Sequence, residues 1–358
     1  MQKEFKLMKG NEAVAEAAIR AGCDGYFGYP ITPQSEIMEY LMLEQPEKRT
    51  GMVVLQAESE VAAINMVYGG AGCGKRVMTS SSSPGMSLKQ EGISYMAGAE
   101  LPCLLVNIVR GGPGLGTIQP SQQDYFQSVK GGGHGDYRSI VLAPASVQEM
   151  ADFAVLGFDL AFKYRTPVLI LSDGIIGQMM EKVVLPEQRP RFTEAEIRKN
   201  TPWATVGKTP DRERNIVTSL NLQAVAQEAH VNQLKKKYDQ IEADEVRYEA
   251  IQCDDADYVI VAYGSSARIS QKAVDLLRAE GKKVGLLRPI TLFPFPKKPI
   301  ADLAKKVKGF LTVEMSLGQM IEDVKLVVNG QTKVEHFGRV GGSIPAPEEV
   351  VNAVKSIM

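Results

Sequence analysis

Leu101-Pro-Cys-Leu-Leu-Val-Asn-Ile-Val109 is an apolar run broken only by Asn107, and it leads directly into Arg110-Gly-Gly-Pro-Gly-Leu-Gly-Thr117. An apolar stretch of this kind is typical of a strand buried on both faces of a parallel sheet. Residues 167–171 form a shorter run of the same type. The sequence therefore predicts a parallel sheet with a glycine-rich loop at the carboxyl end of one buried strand.

Strand and helix signals alternate on the amino-terminal side of this run. Strands are predicted at 24–29, 52–55 and 76–79, and helices at 34–44, at 60–71 and after Ser80-Ser-Ser-Ser-Pro-Gly85. Alternation of this kind is typical of a doubly wound α/β domain, which we place at residues 1–185.

On the carboxyl-terminal side the alternation stops and then resumes. Residues 186–252 are charged and contain several prolines, which indicates a connector. Within it, helical spacing of apolar residues predicts a long helix from Asn221 to Tyr248. The residues at that spacing are Leu222, Val225, Ala229, Leu234, Tyr238 and Ile241.

A second α/β unit is predicted at residues 253–358. Strands are expected at 258–263, 284–287 and 310–313, with a turn at 264–266 and a helix at 268–280. The fold class is therefore α/β, with two doubly wound domains.

Composition excludes several classes of function. The chain has 358 residues and a net charge of −1, so no basic field indicates nucleic acid. We expect no membrane span and a cytoplasmic location, because neither a long apolar run nor a signal-peptide core is present. The four cysteines form no Cys-x-x-Cys pair and the three histidines are dispersed, so we expect no metal site within this chain.

Three patterns resemble phosphate sites without meeting their requirements. Gly69-Gly-Ala-Gly-Cys-Gly-Lys75 is followed by Arg76 instead of Ser or Thr, and it lies after a helix, unlike a P-loop. Gly111-Gly-Pro-Gly-Leu-Gly116 lacks the downstream acidic residue of a dinucleotide site. Ser172-Asp173-Gly174 with Asn200 only approximates the metal–diphosphate signature of thiamine enzymes, and we interpret it as a strand end.

Four other segments lie at the carboxyl ends of predicted parallel strands, where α/β proteins place ligands. They are Gly28-Tyr-Pro-Ile-Thr-Pro-Gln-Ser35, Gln56-Ala-Glu-Ser-Glu-Val-Ala-Ala-Ile64, Thr79-Ser-Ser-Ser-Ser-Pro-Gly-Met-Ser-Leu88 and Arg110-Gly-Gly-Pro-Gly-Leu-Gly-Thr117. Taken singly, Glu60 could be an ordinary acid at a helix start and Arg110 a surface charge. Together the segments predict one shared site.

As a set, these segments resemble the alpha-type, pyrimidine-binding subunit of 2-oxoacid:ferredoxin oxidoreductases. The resemblance runs from Lys6 to about Val354 and covers a thiamine-diphosphate pyrimidine-binding domain followed by a transketolase C-terminal-like domain. It is nearest to the 3-methyl-2-oxobutanoate (2-oxoisovalerate) branch, with the 2-oxoglutarate branch close by.

The resemblance implies roles for individual residues. Glu60 would be the catalytic carboxylate that hydrogen-bonds the aminopyrimidine ring, and Glu58, also at the helix start, is its rival. Pro30, Ile31, Ser83 and Pro84 would contact the cofactor with Glu60. Thr32 and Arg110 would bind the carboxylate of the 2-oxoacid, for which the guanidinium offers paired donors.

The same resemblance implies partners. Thiamine diphosphate would be shared with a beta subunit, and Mg²⁺ and [4Fe-4S] clusters would lie on partner subunits. Gamma and ferredoxin-like delta subunits, ferredoxin and coenzyme A as co-substrate complete the expected system, so the chain would be active only with its partners. Loop residues Leu115 and Ile118, with no Lys, Arg or His up to Pro120, favour a branched-chain 2-oxoacid.

Alternatives remain at this level. A 2-oxoglutarate or pyruvate oxidoreductase subunit, a thiamine enzyme of transketolase or dehydrogenase type without a ferredoxin step, and a non-catalytic Rossmann-type scaffold are each compatible with parts of the pattern.

Overall fold

Strands and helices alternate along most of the chain. The computed structural model describes residues 4–208, 210 and 212–358. Its strands are β1 (Phe5–Lys9), β2 (Gly25–Gly28), β3 (Val53–Gln56), β4 (Val77–Ser81), β5 (Cys103–Val109), β6 (Ile140–Leu142), β7 (Pro167–Asp173), β8 (Met180–Val184), β9 (Tyr248–Ile251), β10 (Tyr258–Val261), β11 (Val284–Pro289), β12 (Thr291–Phe293), β13 (Gly309–Glu314) and β14 (Lys333–Gly338). Its helices are α1 (Gly10–Arg20), α2 (Ser35–Glu44), α3 (Pro46–Thr50), α4 (Glu60–Gly72), α5 (Ser83–Gly98), α6 (Tyr125–Val129), α7 (Val147–Tyr164), α8 (Gly174–Gln178), α9 (Glu194–Asn200), α10 (Ala224–Asp244), α11 (Gly264–Ala279), α12 (Lys297–Ala304), α13 (Met320–Val328) and α14 (Pro347–Ile357).

The apolar run at residues 101–109 forms the central strand of a seven-stranded sheet. The order is β12-β6-β7-β5-β4-β2-β3, with every neighbouring pair parallel except β12 and β6. Every residue of β5 is buried, and Val106 lies in register between Ser80 and Ile170. Burial on both faces explains why this strand lacks the polar alternation of a half-exposed strand.

Helices cover both faces of this sheet. Leu104 packs against Gly157 of α7, whereas its neighbour Leu105 lies near Met86 and Ile93 of α5. Because successive strand residues point to opposite faces, α5 and α7 are on opposite sides. α4 packs with α5, and α1 packs with α7. The predicted doubly wound domain is confirmed.

The carboxyl-terminal sheet has five strands in the order β14-β13-β10-β11-β9. β9 is antiparallel to β11, and the other neighbouring pairs are parallel. Helices α11 and α14 pack together, and α12 packs with α13. This arrangement confirms the second α/β unit.

The connector helix is shorter than predicted. α10 begins at Ala224 and ends at Asp244, because Tyr248 already belongs to β9. Leu234, Tyr238 and Ile241 are buried as the spacing predicts. Leu222, in contrast, is 86% exposed, so the first part of the apolar stripe has no core to pack on.

The predicted turn at residues 264–266 was wrong. These residues form the first turn of α11, which begins at Gly264 instead of at Arg268. The hydroxyl of Ser265 donates to Asp173 at 2.7 Å and that of Ser266 donates to Gln122 at 2.6 Å. Bonds to the amino-terminal domain therefore replace the local bonds that would favour a separate turn.

Strands are exchanged between the halves of the chain. β9 lies in the range predicted as connector but pairs with β11. β12 lies in the predicted carboxyl-terminal domain but pairs with β6 at the edge of the seven-stranded sheet. The domain boundaries at 185/186 and 252/253 stay a prediction.

Candidate active site

The turn after β2 is held in place by a buried hydrogen-bond network on its interior side. The hydroxyl groups of Tyr26 and Ser80 lie 2.8 Å apart, and Ser80 donates to the side-chain oxygen of Gln34 at 2.5 Å. The amide nitrogen of Gln34 donates to the carbonyl oxygen of Tyr29 at 3.0 Å. The segment containing Pro30, Ile31 and Thr32 is thereby fixed at the carboxyl end of β2, with Thr32 exposed.

Glu60 is the first residue of α4, and its environment is unusual for a buried acid. Ser59 caps the helix by accepting a hydrogen bond from the N–H of Ala62 at 3.2 Å. Glu60 is 7% exposed, and its carboxylate accepts no hydrogen bond from any residue that the structure describes. Glu58, in contrast, is exposed. The geometry therefore favours Glu60 over Glu58 as the carboxylate that awaits a donor.

The start of α5 forms the wall opposite Glu60. A Cβ atom on Gly85 would lie 2.7 Å from Oε1 of Glu60 and would overlap Oγ of Ser81, so only glycine allows these two side chains to approach α5 so closely. The hydroxyl groups of Ser81 and Ser82 are buried and lack partners among the described residues. A carboxylate that accepts a hydrogen bond and two hydroxyls that can donate or accept one match the polar atoms of a heterocycle with ring nitrogens and an amino group, such as an aminopyrimidine.

Arg110 joins three of the four predicted segments. Its backbone N–H donates to Oγ of Ser83 at 3.2 Å. In its guanidinium, Nη1 donates to the carbonyl oxygen of Thr32 at 3.0 Å and Nη2 donates to the carbonyl oxygen of Leu115 at 3.1 Å. Nε is buried and has no partner in the described part of the chain. The guanidinium therefore fixes the loop that carries Leu115 and still has an N–H donor without an acceptor among the described residues.

Asn107, the polar break in the apolar run, has a structural explanation. Its side-chain oxygen accepts a hydrogen bond from the N–H of Ser83 at 3.2 Å, and its amide donates to Asp124 at 2.9 Å. Burial raises the pKa of Asp124, and the bond from Asn107 opposes that shift. Asn107 thus connects β5 to the start of α5, where Ser83 and Pro84 lie.

The structure brings Thr32, Ser83, Arg110 and Glu60 to one edge of the sheet and places Pro30, Ile31 and Pro84 on the same three segments. Their binding roles stay predictions. The motif-based reasoning missed the roles of Gln34, Asn107, Gly85 and Lys89. Gly85 and Gln34 were within the quoted segments, but Lys89 gave no motif signal.

The three phosphate-like patterns have other roles. Gly69–Gly72 end α4, and β4 follows, as predicted. Residues 111–119 form a loop closed by Thr117 N–H donating to the carbonyl oxygen of Gly111 at 2.8 Å. Asp173 ends β7, caps α8 and accepts a hydrogen bond from the hydroxyl of Ser265, which lies close to both carboxylate oxygens, and burial raises the pKa of Asp173.

The described residues offer neither a metal-binding cluster nor a membrane-spanning helix. In residues 4–208, 210 and 212–358, no group of three or more His, Cys, Asp or Glu side chains is arranged to hold a metal ion. None of the helices in those residues combines the length and apolar character that crossing a membrane requires.

Residues 16–250 match the model of a family described as pyruvate flavodoxin/ferredoxin oxidoreductase, thiamine diphosphate-binding. The chain belongs to this family. Residues 256–350 match a second model, described as pyruvate:ferredoxin oxidoreductase core domain II. The resemblance drawn from the four segments is confirmed, and the chain is a 2-oxoacid:ferredoxin oxidoreductase subunit.

Relatives within this family cover nearly the whole chain. The ketoisovalerate oxidoreductase subunit VorB of Methanothermobacter marburgensis is 52% identical over 98% of this chain and 97% of its own length. The 2-oxoglutarate synthase subunit KorA of Methanocaldococcus jannaschii is 38% identical over 99% of this chain and 100% of its own.

Solved structures agree with the fold. The 2-oxoglutarate:ferredoxin oxidoreductase from Magnetococcus marinus, solved with 2-oxoglutarate, coenzyme A and succinyl-CoA bound, superposes with a TM-score of 0.85 at 29% identity. This family member covers 99% of the present chain, which spans 65% of the Magnetococcus chain. A split-gene transketolase, at 14% identity and a TM-score of 0.59, shares the fold.

Proposed function

We propose that this chain supplies the pyrimidine side of a thiamine-diphosphate active site that oxidatively decarboxylates a 2-oxoacid. The observation that carries the proposal is the carboxylate of Glu60, which lies against Gly85 at the carboxyl edge of the sheet without a hydrogen-bond partner among the described residues. Such a carboxylate is available to accept a hydrogen bond from a ligand donor.

The protein's contribution is orientation and electrostatics, since thiamine diphosphate, when bound, supplies the nucleophilic carbon and accepts the electrons left by CO₂ loss. Glu60 would accept a hydrogen bond at the ring nitrogen and hold the proton there. The hydroxyl groups of Ser81 and Ser82 would form hydrogen bonds with the other polar atoms of the aminopyrimidine ring. Arg110 and Thr32 would hold the carboxylate of the 2-oxoacid until CO₂ leaves.

The site requires partner subunits in this proposal. The edge strand β3 and the adjoining α4 expose Val53, Leu55, Val61 and Met66 beside Glu60. Exposed apolar residues grouped in this way favour a docking surface for the beta subunit.

The beta subunit would bind the diphosphate group of the cofactor and Mg²⁺. Iron–sulfur clusters on partner subunits would pass electrons to ferredoxin, and coenzyme A would accept the acyl group. Gamma and delta subunits and a cytoplasmic location are part of the same proposal.

The preferred substrate is proposed to be 3-methyl-2-oxobutanoate. Leu115 and Ile118 are 81% and 57% exposed on the loop that Arg110 holds, and no cation lies on that loop up to Pro120. A second substrate carboxylate would have no partner there, whereas an isopropyl group needs only a fitted pocket. The identity to the ketoisovalerate oxidoreductase subunit supports this choice.

A side-by-side comparison of three 2-oxoacids tests the substrate. The kcat/KM of the whole complex is measured for 3-methyl-2-oxobutanoate, pyruvate and 2-oxoglutarate. We expect the branched acid to exceed pyruvate by about 10–200-fold, which is the range that one or two methyl-sized groups provide. A preference for 2-oxoglutarate would contradict the substrate proposal and leave the family assignment unchanged.

A further inference from the structure

Lys89 is a fully buried lysine on α5, the helix whose first turn borders the proposed site. It lies on α5 with a relative exposure of 0%, and among the described residues its ammonium has one hydrogen-bond partner, Oγ1 of Thr79 at 3.2 Å. Lysines are almost never fully buried unless they are paired, because an ammonium loses its hydration there. The neutral hydroxyl of Thr79 replaces only part of that hydration.

Helix geometry places Lys89 on the same face of α5 as two residues that contact α4. Gly85 faces Glu60, and a Cβ on Gly92 would lie 2.7 Å from both γ-carbons of Ile64. Lys89 is four residues after Gly85 and three before Gly92, and residues at these spacings share one helix face. The side chain of Lys89 therefore extends toward the interface between α4 and α5.

Lys89 also lies deeper in the domain than the ligand edge. α5 begins at that edge with Ser83, and each helical turn moves about 5.4 Å away from it. Thr79, the partner of Lys89, is two residues before the end of β4. A ring bound at the edge would thus contact Glu60 from one side, with the ammonium of Lys89 on the interior side.

No described acid forms an ion pair with the ammonium of Lys89, and Glu60 is the acid at the interface between α4 and α5 toward which Lys89 extends. α5 packs on α4, β5 and β7, and Lys89 reaches β4. The titratable groups of these elements and of α5 itself are Glu60, Tyr68, Cys103, Asp173, Glu91 and Tyr95. Burial lowers the pKa of Lys89 to about 8, and the charge of Glu60 opposes that decrease.

We propose that Lys89 is a positioning residue for Glu60, whose ammonium stabilises the ionised carboxylate from the interior side and thereby keeps the shared proton on the aminopyrimidine nitrogen. With a cation nearer to the carboxylate than to the ring, moving that proton from the ring nitrogen to Oε of Glu60 becomes less favourable. The proposal rests on the proposed role of Glu60 and assigns a second charge to the site.

Exchange of the C2 proton of bound thiamine diphosphate in the assembled complex tests this idea without turnover. The exchange is followed by NMR in D₂O in the absence of 2-oxoacid. Lys89→Met, which keeps an unbranched side chain without charge, is expected to slow exchange about tenfold, because a nearby opposite charge changes such proton equilibria by about tenfold or more. Lys89→Arg should retain most of the rate.

Two controls separate charge from packing. Thr79→Val removes the hydroxyl partner and Met96→Leu changes a buried residue of the same helix. Neither should slow exchange as much as Lys89→Met. If Thr79→Val and Lys89→Met slow exchange equally, or if Lys89→Met leaves exchange unchanged, Lys89 has only a structural role and the inference is wrong.

The double variant separates this inference from the proposed function. If Lys89 acts through Glu60, combining Lys89→Met with Glu60→Gln slows exchange no further than Glu60→Gln alone. Normal exchange in Glu60→Gln by itself would overturn the role of Glu60. Slow exchange in Glu60→Gln with normal exchange in Lys89→Met would overturn only the role of Lys89.

A pH series covers the case in which Lys89→Met does not assemble. As the pH rises through about 8, Lys89 loses its charge, so the wild-type exchange rate should fall below that of Lys89→Arg, whose guanidinium stays charged. Parallel pH profiles for the two complexes would contradict the proposal.

Discussion

Glu60 differs from several other acids of low exposure because no described residue donates a hydrogen bond to its carboxylate. Glu16 accepts hydrogen bonds from Arg20 and Arg49, Asp173 accepts bonds from a hydroxyl and two backbone amides, and Glu314 caps the first turn of α13. Those acids are satisfied by the fold, as buried charges must be. The absence of a partner for Glu60 within the described residues leaves its binding capacity for a ligand.

Replacing Glu60 by Gln is expected to lower kcat of the complex at least ~10²-fold, the usual scale for losing a proton-transfer group. Folding should change little, because an acid at a helix start contributes about 0.3–1 kcal/mol. Glu58→Gln, two residues away and exposed, is the matched control and should keep full activity. Steady-state rates and denaturation midpoints check both variants, and the reverse pattern would move the role to Glu58.

Arg110→Lys is expected to raise KM for the 2-oxoacid about tenfold, the scale of one lost hydrogen bond to a charged group. A single ammonium nitrogen cannot take the positions of both Nη1 and Nη2, so it would lose the bond to the carbonyl group of Thr32 or of Leu115 or the bond to the substrate carboxylate. The affinity for thiamine diphosphate should change little. Arg189→Lys, in an exposed ion pair with Asp159, is the control, and an unchanged KM in Arg110→Lys would reject the role.

At the scale of elements, sequence periodicity predicted the strands that are buried on both sides and the helices between them. It failed where tertiary contacts decide the outcome. The start of α11 depends on partners more than 90 residues away, Asp173 and Gln122, and the limits of α10 depend on which apolar residues meet a core. Lys89 was missed for the same reason, since a charged residue in a helix indicates solvent until its neighbours are known.

The close packing of α4 on α5 is expected to be sensitive to one methyl group. In Gly92→Ala the added Cβ would lie 2.7 Å from the γ-carbons of the buried Ile64. Overpacking costs about 1–3 kcal/mol, against about 1 kcal/mol gained in helix propensity, so a net loss of up to about 2 kcal/mol is expected. Activity should fall as well, because α4 carries Glu60.

Gly69→Ala is the matched control for that variant. Gly69 is exposed on α4 with nothing within 4 Å of an added Cβ, so alanine should stabilise the helix by up to about 1 kcal/mol. Thermal denaturation of the two variant complexes should therefore shift in opposite directions. Equal thermal midpoints for the Gly92→Ala and Gly69→Ala complexes would show that α4 and α5 can move apart without loss of stability.

At the scale of the whole molecule, the relevant feature is the lack of a metal-binding cluster in the part of the chain that the structure describes. The described residues contain no group arranged for a metal ion, and the sequence has no Cys-x-x-Cys pair. We expect the isolated chain to contain no iron and to reduce no low-potential dye with any 2-oxoacid. Metal analysis, visible absorbance and a dye assay check this expectation, with the reconstituted complex as the positive control. A brown, active single chain would contradict it.

Strand β12 links the two sheets in a way that bears on how the molecule can be divided. Thr291 and Phe293 belong to the second half of the chain, yet they cover β6 at the border of the first sheet. A fragment cut after residue 252 would leave that border as an unprotected, self-adhesive edge. We therefore expect the two halves to fold as parts of one chain. A chimera that joins them to other proteins should keep β12 and β6 from the same parent.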